Sequence, residues 1–218
     1  MEIWIDTVSP ESIRHAELCG LLHGVTTNPT LISKHNAPLE VLIETLLGCQ
    51  TGPLAVQVVG NNAAEMVSQA RALSAISPRI YVKIPVTESG LQAMHQLRGM
   101  PIMATAVVEP MQAFTAAHAG ASYIAFYLSQ MGETALDKVG QMQKMMTTFF
   151  PAVKLLGASI RLPTQLIECA TRGVAACTIK EPLLAECLET PPRALDQLSL
   201  FDEAWQKALP SALFPNKP

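Results

Sequence analysis

The chain has 218 residues, 49% of them hydrophobic and only 15% charged, with a formal net charge of −3. That balance permits a large core and excludes a disordered chain; the absence of any basic run excludes an electrostatic footprint for nucleic acid or a membrane surface. The five cysteines are scattered and form no CxxC pair, so reduced thiols in a cytoplasmic protein are expected, and the five histidines show no metal-ligand spacing.

The opening "MEIWIDTVSPES" lacks the basic, then apolar, pattern of a secretory leader. No uninterrupted apolar run reaches the roughly 18–20 residues of a membrane helix. "EIWID" (2–6) reads as the first strand and "GVTTN" (24–28) as the second. "APLEVLIETLLGC" then reads as a helix with an Ala-Pro start, followed by the strand "LAVQVV" (54–59). "NAAEMVSQARALSAI" opens on an Asn cap and precedes the strand "IYVKI" (80–84). "TESGLQAMHQLRG" carries a Thr cap, an early Glu and a closing Gly, and leads to "PIMATAV" (101–107). "EPMQAFTAAHAG" begins near Pro and ends in Gly, ahead of "SYIAFYL" (122–128). The longest helical segment, "ETALDKVGQMQKMMTTFF", precedes "VKLLGAS" (153–159); "PTQLIECATRG" precedes the last strand, "AACTI" (175–179).

Eight strands alternating with helices, without a linker or composition break, predict an α/β fold: a single (β/α)8 TIM barrel over residues 1–190. A doubly wound open sheet is the alternative, and no GxGxxG follows the first strand to support it. Residues 191–218 form an extension. Its central part places Leu195, Leu198, Phe201, Trp205 and Leu209 at helical spacing, as a helix that caps the barrel or docks on a neighbouring subunit.

Barrels of this type keep their chemistry at the C-terminal strand ends. There the sequence offers Asp6, Thr26, Asn28, Gln57, Lys83, Thr105, Tyr127 and Ser159, with Arg161 just beyond. Alternation along a strand puts Lys83 on one face with Tyr81, Asp6 with Trp4, Asn28 with Thr26, and Gln57 with Ala55. Polar groups thereby converge on one axis, while Ile3, Ile5, Val56 and Val58 face outward. Each polar residue also has a plainer reading: Asp6 as a cap or turn residue, Asn28 as turn chemistry before Pro29, Thr105 and Tyr127 as ordinary strand residues. An amide such as Gln57 in an apolar strand needs hydrogen bonds. Lys83 within "RIYVKIPV" is the costliest placement, because a buried ammonium must find a partner or lose its proton. A structural salt bridge to Asp6 is one answer. The other is a neutral amine that condenses with a ketone to form an iminium, an electron sink for breaking or making a carbon–carbon bond. Asp6 would raise the amine's pKa, so burial has to outweigh it.

"GVTTNPTLI" (24–32) and "IYVKIPVTESGLQAM" (80–94) resemble the two signature segments of the transaldolase family, and the similarity runs from "IDT" to "FDEAWQKAL". Among its branches the chain most resembles the small bacterial one that includes fructose-6-phosphate aldolase. The resemblance implies a class I, Schiff-base barrel that uses no metal or other cofactor. It makes Lys83 the Schiff-base lysine and Asp6 the proton-relay carboxylate. Thr26 and Asn28 would hold the donor's hydroxyls, and Gln57, Thr105 and Tyr127 would position a catalytic water and a proton donor. The transaldolase branch is expected to carry Glu in place of Gln57 and Phe in place of Tyr127, so both residues match the aldolase branch.

Ser159 and Arg161 of "GASIR" match the family's phosphate-binding segment, but Gln130 stands where an arginine usually completes it. Loss of that cation weakens the contact by about 1–3 kcal/mol, so the acceptor is a phosphorylated aldehyde held less tightly or an unphosphorylated one. The implied activity is aldol cleavage or formation of a ketose such as fructose 6-phosphate. Dihydroxyacetone or hydroxyacetone would be the donor, and glyceraldehyde 3-phosphate or a related aldehyde the acceptor. A transaldolase and a non-catalytic sugar-binding barrel are the alternatives. A homo-oligomer, a decamer of two stacked pentamers, follows from the resemblance alone.

Overall fold

The computed structural model describes residues 1–207. The chain divides into two compact units, Met1–Leu184 and Ala185–Pro218. The first is a closed barrel of eight parallel strands, each paired with its neighbour in sequence order and the last returning to the first. The strands are β1 (Glu2–Asp6), β2 (Gly24–Thr26), β3 (Leu54–Gln57), β4 (Ile80–Pro85), β5 (Ile102–Val107), β6 (Tyr123–Tyr127), β7 (Lys154–Ala158) and β8 (Ala176–Ile179). Between them lie α1 (Pro10–Leu18), α2 (Pro29–Ile32), α3 (Leu39–Gly48), α4 (Ala63–Ile76), α5 (Glu88–Gln96), α6 (Pro110–Ala119), α7 (Ala135–Phe149) and α8 (Pro163–Thr171). α9 (Glu181–Leu188) follows β8.

Capping chemistry fixes where the helices begin. The side chains of Asn62 and Thr87 accept from the backbone N–H groups of Glu65 and Gly90, as their sequences predict. Ser9 caps α1 by accepting from Ser12, which removes the plainer reading of Asp6 as the cap of that segment. The helices α1, α2 and α9 lie outside the segments read as helical from sequence. α2 is a single turn that starts on Asn28-Pro29 and cuts the second strand short at Thr26.

Outward-facing Ile5, Val25, Val56, Val82 and Ile84 are buried. The inward positions sort by size. Trp4, Tyr81 and Tyr123 meet edge to face, with ring centroids 5.2–6.1 Å apart, an arrangement that adds to the area each ring buries. Glu2 ties this plug down, accepting from Tyr123 Oη at 2.7 Å and Lys154 Nζ at 2.5 Å. Burial opposes ionisation of Glu2, yet the bonds from Lys154 and Tyr123 hold its carboxyl below the usual range. The indole of Trp4 lies against Gly24, where an added Cβ would come within 2.8 Å of the ring and of the Pro53 carbonyl. Beyond the plug, Ala125 and Ala158 line a cavity of about 520 Å³.

In the second unit, α10 (Pro192–Gln206) carries Leu195, Leu198, Phe201 and Trp205 with 43–60% of their surface exposed. Leu209 lies outside the described residues. Among the described residues, no helix is long and apolar enough to cross a membrane.

Candidate active site

The cavity is lined by Asp6, Thr26, Asn28, Gln57, Lys83, Tyr127 and Ser159 among others. Their convergence follows from strand register. Asp6 lies beside Thr26, Gln57 beside Lys83, and Pro85 beside Thr105. Alternation then turns each toward the axis, in line with Trp4, Ala55, Tyr81 and Met103 below them.

Lys83 is 5% exposed and its Nζ donates to the carbonyl of Thr27 at 2.7 Å. Thr27 is itself held, its hydroxyl donating to the carbonyl of Ala55 at 2.9 Å. Burial lowers the amine's pKa from its ordinary 10.5 to about 8, against the opposing pull of the Asp6 charge. The carboxylate of Asp6 does not answer that charge directly. It accepts from Thr26 Oγ1 at 2.9 Å and from Asn28 Nδ2 at 3.4 Å, and no ion pair within 4.0 Å joins it to Lys83. The salt-bridge reading of Lys83 therefore fails. Once deprotonated, the amine with one N–H on Thr27 keeps its lone pair for the cavity it lines.

Asn28 does two jobs. Its Oδ1 accepts from the backbone of Leu31 and caps α2, which leaves Nδ2 for Asp6. The turn reading thus holds for Asn28, and the residue also lines the cavity. Thr26 also shares a hydrogen bond of 2.7 Å with Thr178 on β8. Across the barrel, Thr105 Oγ1 and Tyr127 Oη lie 3.0 Å apart. The placement of Thr105 depends on a bulge: β5 gains a residue between Ala104 and Val107, with Ala106 at φ 60°. Thr105 is fully buried and reaches the cavity through Tyr127 rather than lining it.

Arg161 is not brought to the cavity. Ser159 adopts φ 57° and its carbonyl accepts from Ser129 Oγ, so the chain leaves the extended form there. Arg161 is exposed, its backbone N–H bonded to Gln165 Oε1 at 2.8 Å, and its side chain lines a separate surface pocket with Glu168. Gln130 does line the cavity. Sequence reasoning missed four polar or charged lining residues, Thr30, Lys34, Thr178 and Lys180. Thr178 and Lys180 continue the inward alternation of β8 from Ala176, a signal available in the sequence; Lys34 follows the short helix α2, where strand parity says nothing. Among the described residues, no group of three or more His, Cys, Asp or Glu is placed to hold a metal.

Comparison with known proteins finds matches over nearly the whole chain. The family model described as Transaldolase/Fructose-6-phosphate aldolase matches residues 3–213. A protein of Maridesulfovibrio salexigens named "Probable transaldolase" is 34% identical over 213 residues, covering 95% of this chain and 99% of its own. One of Thermus thermophilus with the same name is 35% identical over 224 residues, covering 96% and 100%. Among solved structures, a mandelate oxidase variant with benzaldehyde superposes with a TM-score of 0.58 at 14% identity, over 83% of this chain and 64% of that one. At that identity the likeness is one of fold alone.

Proposed function

Because the chain belongs to the transaldolase/fructose-6-phosphate aldolase family, we propose that it is a class I aldolase that cleaves or forms a ketose by way of an imine on Lys83. The observation that carries this reading is a dry lysine, 5% exposed and with its pKa lowered to about 8, opening on the cavity beside Asp6 and Gln57.

In the cleavage direction, Nζ of Lys83 as the free amine attacks the carbonyl carbon of the ketose and water leaves to give the iminium. The hydroxyls of the dihydroxyacetone or hydroxyacetone unit are held by Thr26 and Asn28, whose own bonds to Asp6 set their directions. The bond between the carbon next to the iminium and the hydroxyl-bearing carbon of the aldehyde half then breaks, its electron pair forming the enamine double bond as the iminium nitrogen is neutralised. Tyr127, oriented by Thr105 at 3.0 Å, takes the proton of the hydroxyl on the aldehyde half, which leaves as the free aldehyde, and returns that proton to the enamine carbon. Water held by Gln57 hydrolyses the iminium, with Asp6 relaying protons to and from the nitrogen.

The pair Gln57 and Tyr127 supports release of the free ketone. The name shared by the relatives supports transfer instead: a transaldolase would pass the enamine directly to a second aldehyde. Incubation with fructose 6-phosphate, with and without erythrose 4-phosphate, separates the two. Free dihydroxyacetone is expected in both incubations. A product that forms only when erythrose 4-phosphate is present would make the enzyme a transaldolase. The free thiols suit a reducing compartment, the cytoplasm. The apolar stripe of α10 suits cover by a neighbouring copy in a homo-oligomer; light scattering on the full chain tests that, and a monomeric mass would remove it.

A further inference from the structure

The charge pattern of the cavity points to a substrate anion held away from the segment where the sequence places it. Three cations line the cavity, Lys34, Lys83 and Lys180, against the single carboxylate of Asp6. Lys83 is buried and committed to the chemistry. Lys34 and Lys180 are exposed at the mouth, and neither enters an ion pair within 4.0 Å among the described residues, unlike Lys138 and Lys154. They arrive from the segments after β2 and β8, the two strands that flank β1 and Asp6. The opposite side of the mouth, after β6 and β7, presents only the neutral Gln130 and Ser159, and Arg161 faces another pocket.

We propose that Lys34 and Lys180 form the anion-binding rim that selects a phosphorylated aldehyde as acceptor, an inference that rests on the aldolase reading above. A phosphate dianion at the mouth matches two ammonium groups in charge, and lysines grip it as point charges without the fixed fork of a guanidinium. Held there, the acceptor's far end sits on the β8–β1–β2 side, while its carbonyl carbon reaches down to the enamine on Lys83. The arrangement makes Lys34 and Lys180 specificity-determining residues: they touch the substrate's anion and take no part in the bond that breaks.

The test is a comparison of glyceraldehyde 3-phosphate with plain glyceraldehyde in the parent enzyme and in Lys34→Met, Lys180→Met and Arg161→Met. Each lysine substitution is expected to raise KM for the phosphorylated aldehyde about tenfold, the scale of one charge-assisted contact, with the rise confined to that acceptor. Equal KM changes for both aldehydes, or a larger rise in Arg161→Met than in either lysine variant, would overturn the proposal. A readout independent of turnover accompanies it: inorganic phosphate should raise the melting temperature of the parent and fail to do so in the double variant Lys34→Met/Lys180→Met. A shift that persists in the double variant, or none in the parent, also overturns it. Borohydride trapping of dihydroxyacetone is run on every variant. An adduct on Lys83 alongside a failed phosphate test removes only the rim; no adduct anywhere removes the aldolase reading itself.

Discussion

Replacing Lys83 by methionine separates the energetic cost of the buried amine from its chemical use. The pKa of the amine falls from 10.5 to about 8, so keeping it protonated in the folded chain costs about 3 kcal/mol. Methionine fills a similar volume without charge, but it leaves the Thr27 carbonyl without its donor, a loss of about 1 kcal/mol. The variant should therefore be more stable by about 2 kcal/mol, a rise in melting temperature of about 4–8 °C for a chain of this size. The sign with pH follows from proton counting. Below about 8 the amine is protonated both folded and unfolded and the cost is fully present; between about 8 and 10.5 the unfolded chain binds more protons, and stability rises with pH. The gap between variant and parent is expected to be widest below pH 8 and to close toward pH 10.5, as followed by calorimetry across that range. A variant that melts below the parent at neutral pH, or a gap that stays constant with pH, would refute the account of a desolvated amine.

Three further outcomes follow from named contacts. Tyr127→Phe removes the hydroxyl 3.0 Å from Thr105 and should lower aldol cleavage about 10²-fold or more while favouring transfer; unchanged partitioning between released and transferred donor would argue against its role. Asp6→Asn removes the charge that raises the Lys83 pKa, so the pH midpoint for trapping the imine should fall below about 8 even as the rate drops, and a midpoint that rises would reverse the assigned electrostatics. Gly24→Ala drives a methyl to within 2.8 Å of Trp4 and Pro53 and should cost about 1–3 kcal/mol in chemical denaturation; a neutral effect would mean the aromatic plug yields easily.

The barrel is legible because each strand carries a strong local pattern: "EIWID" coincides with β1, and Asn62 and Thr87 cap where expected. The second strand is shorter than its sequence suggests because Asn28 turns its side chain to capping α2. At the site, the two-residue alternation of the strands is enough to place Asp6, Thr26, Gln57 and Lys83 on one axis. The same rule carried one strand further would have reached Thr178 and Lys180. It does not extend to Arg161, because the left-handed backbone at Ser159 ends the alternation. Lys34 escapes for a similar reason, since it enters the cavity from a helical turn rather than from a strand.

The measurement that bears most directly on all of this is borohydride reduction of the parent enzyme with dihydroxyacetone or hydroxyacetone, followed by peptide mass mapping. A single adduct on Lys83, formed more readily as the pH approaches about 8 from below, is the expected result. An unmodified Lys83, or an adduct on one of the exposed lysines in its place, would contradict the account.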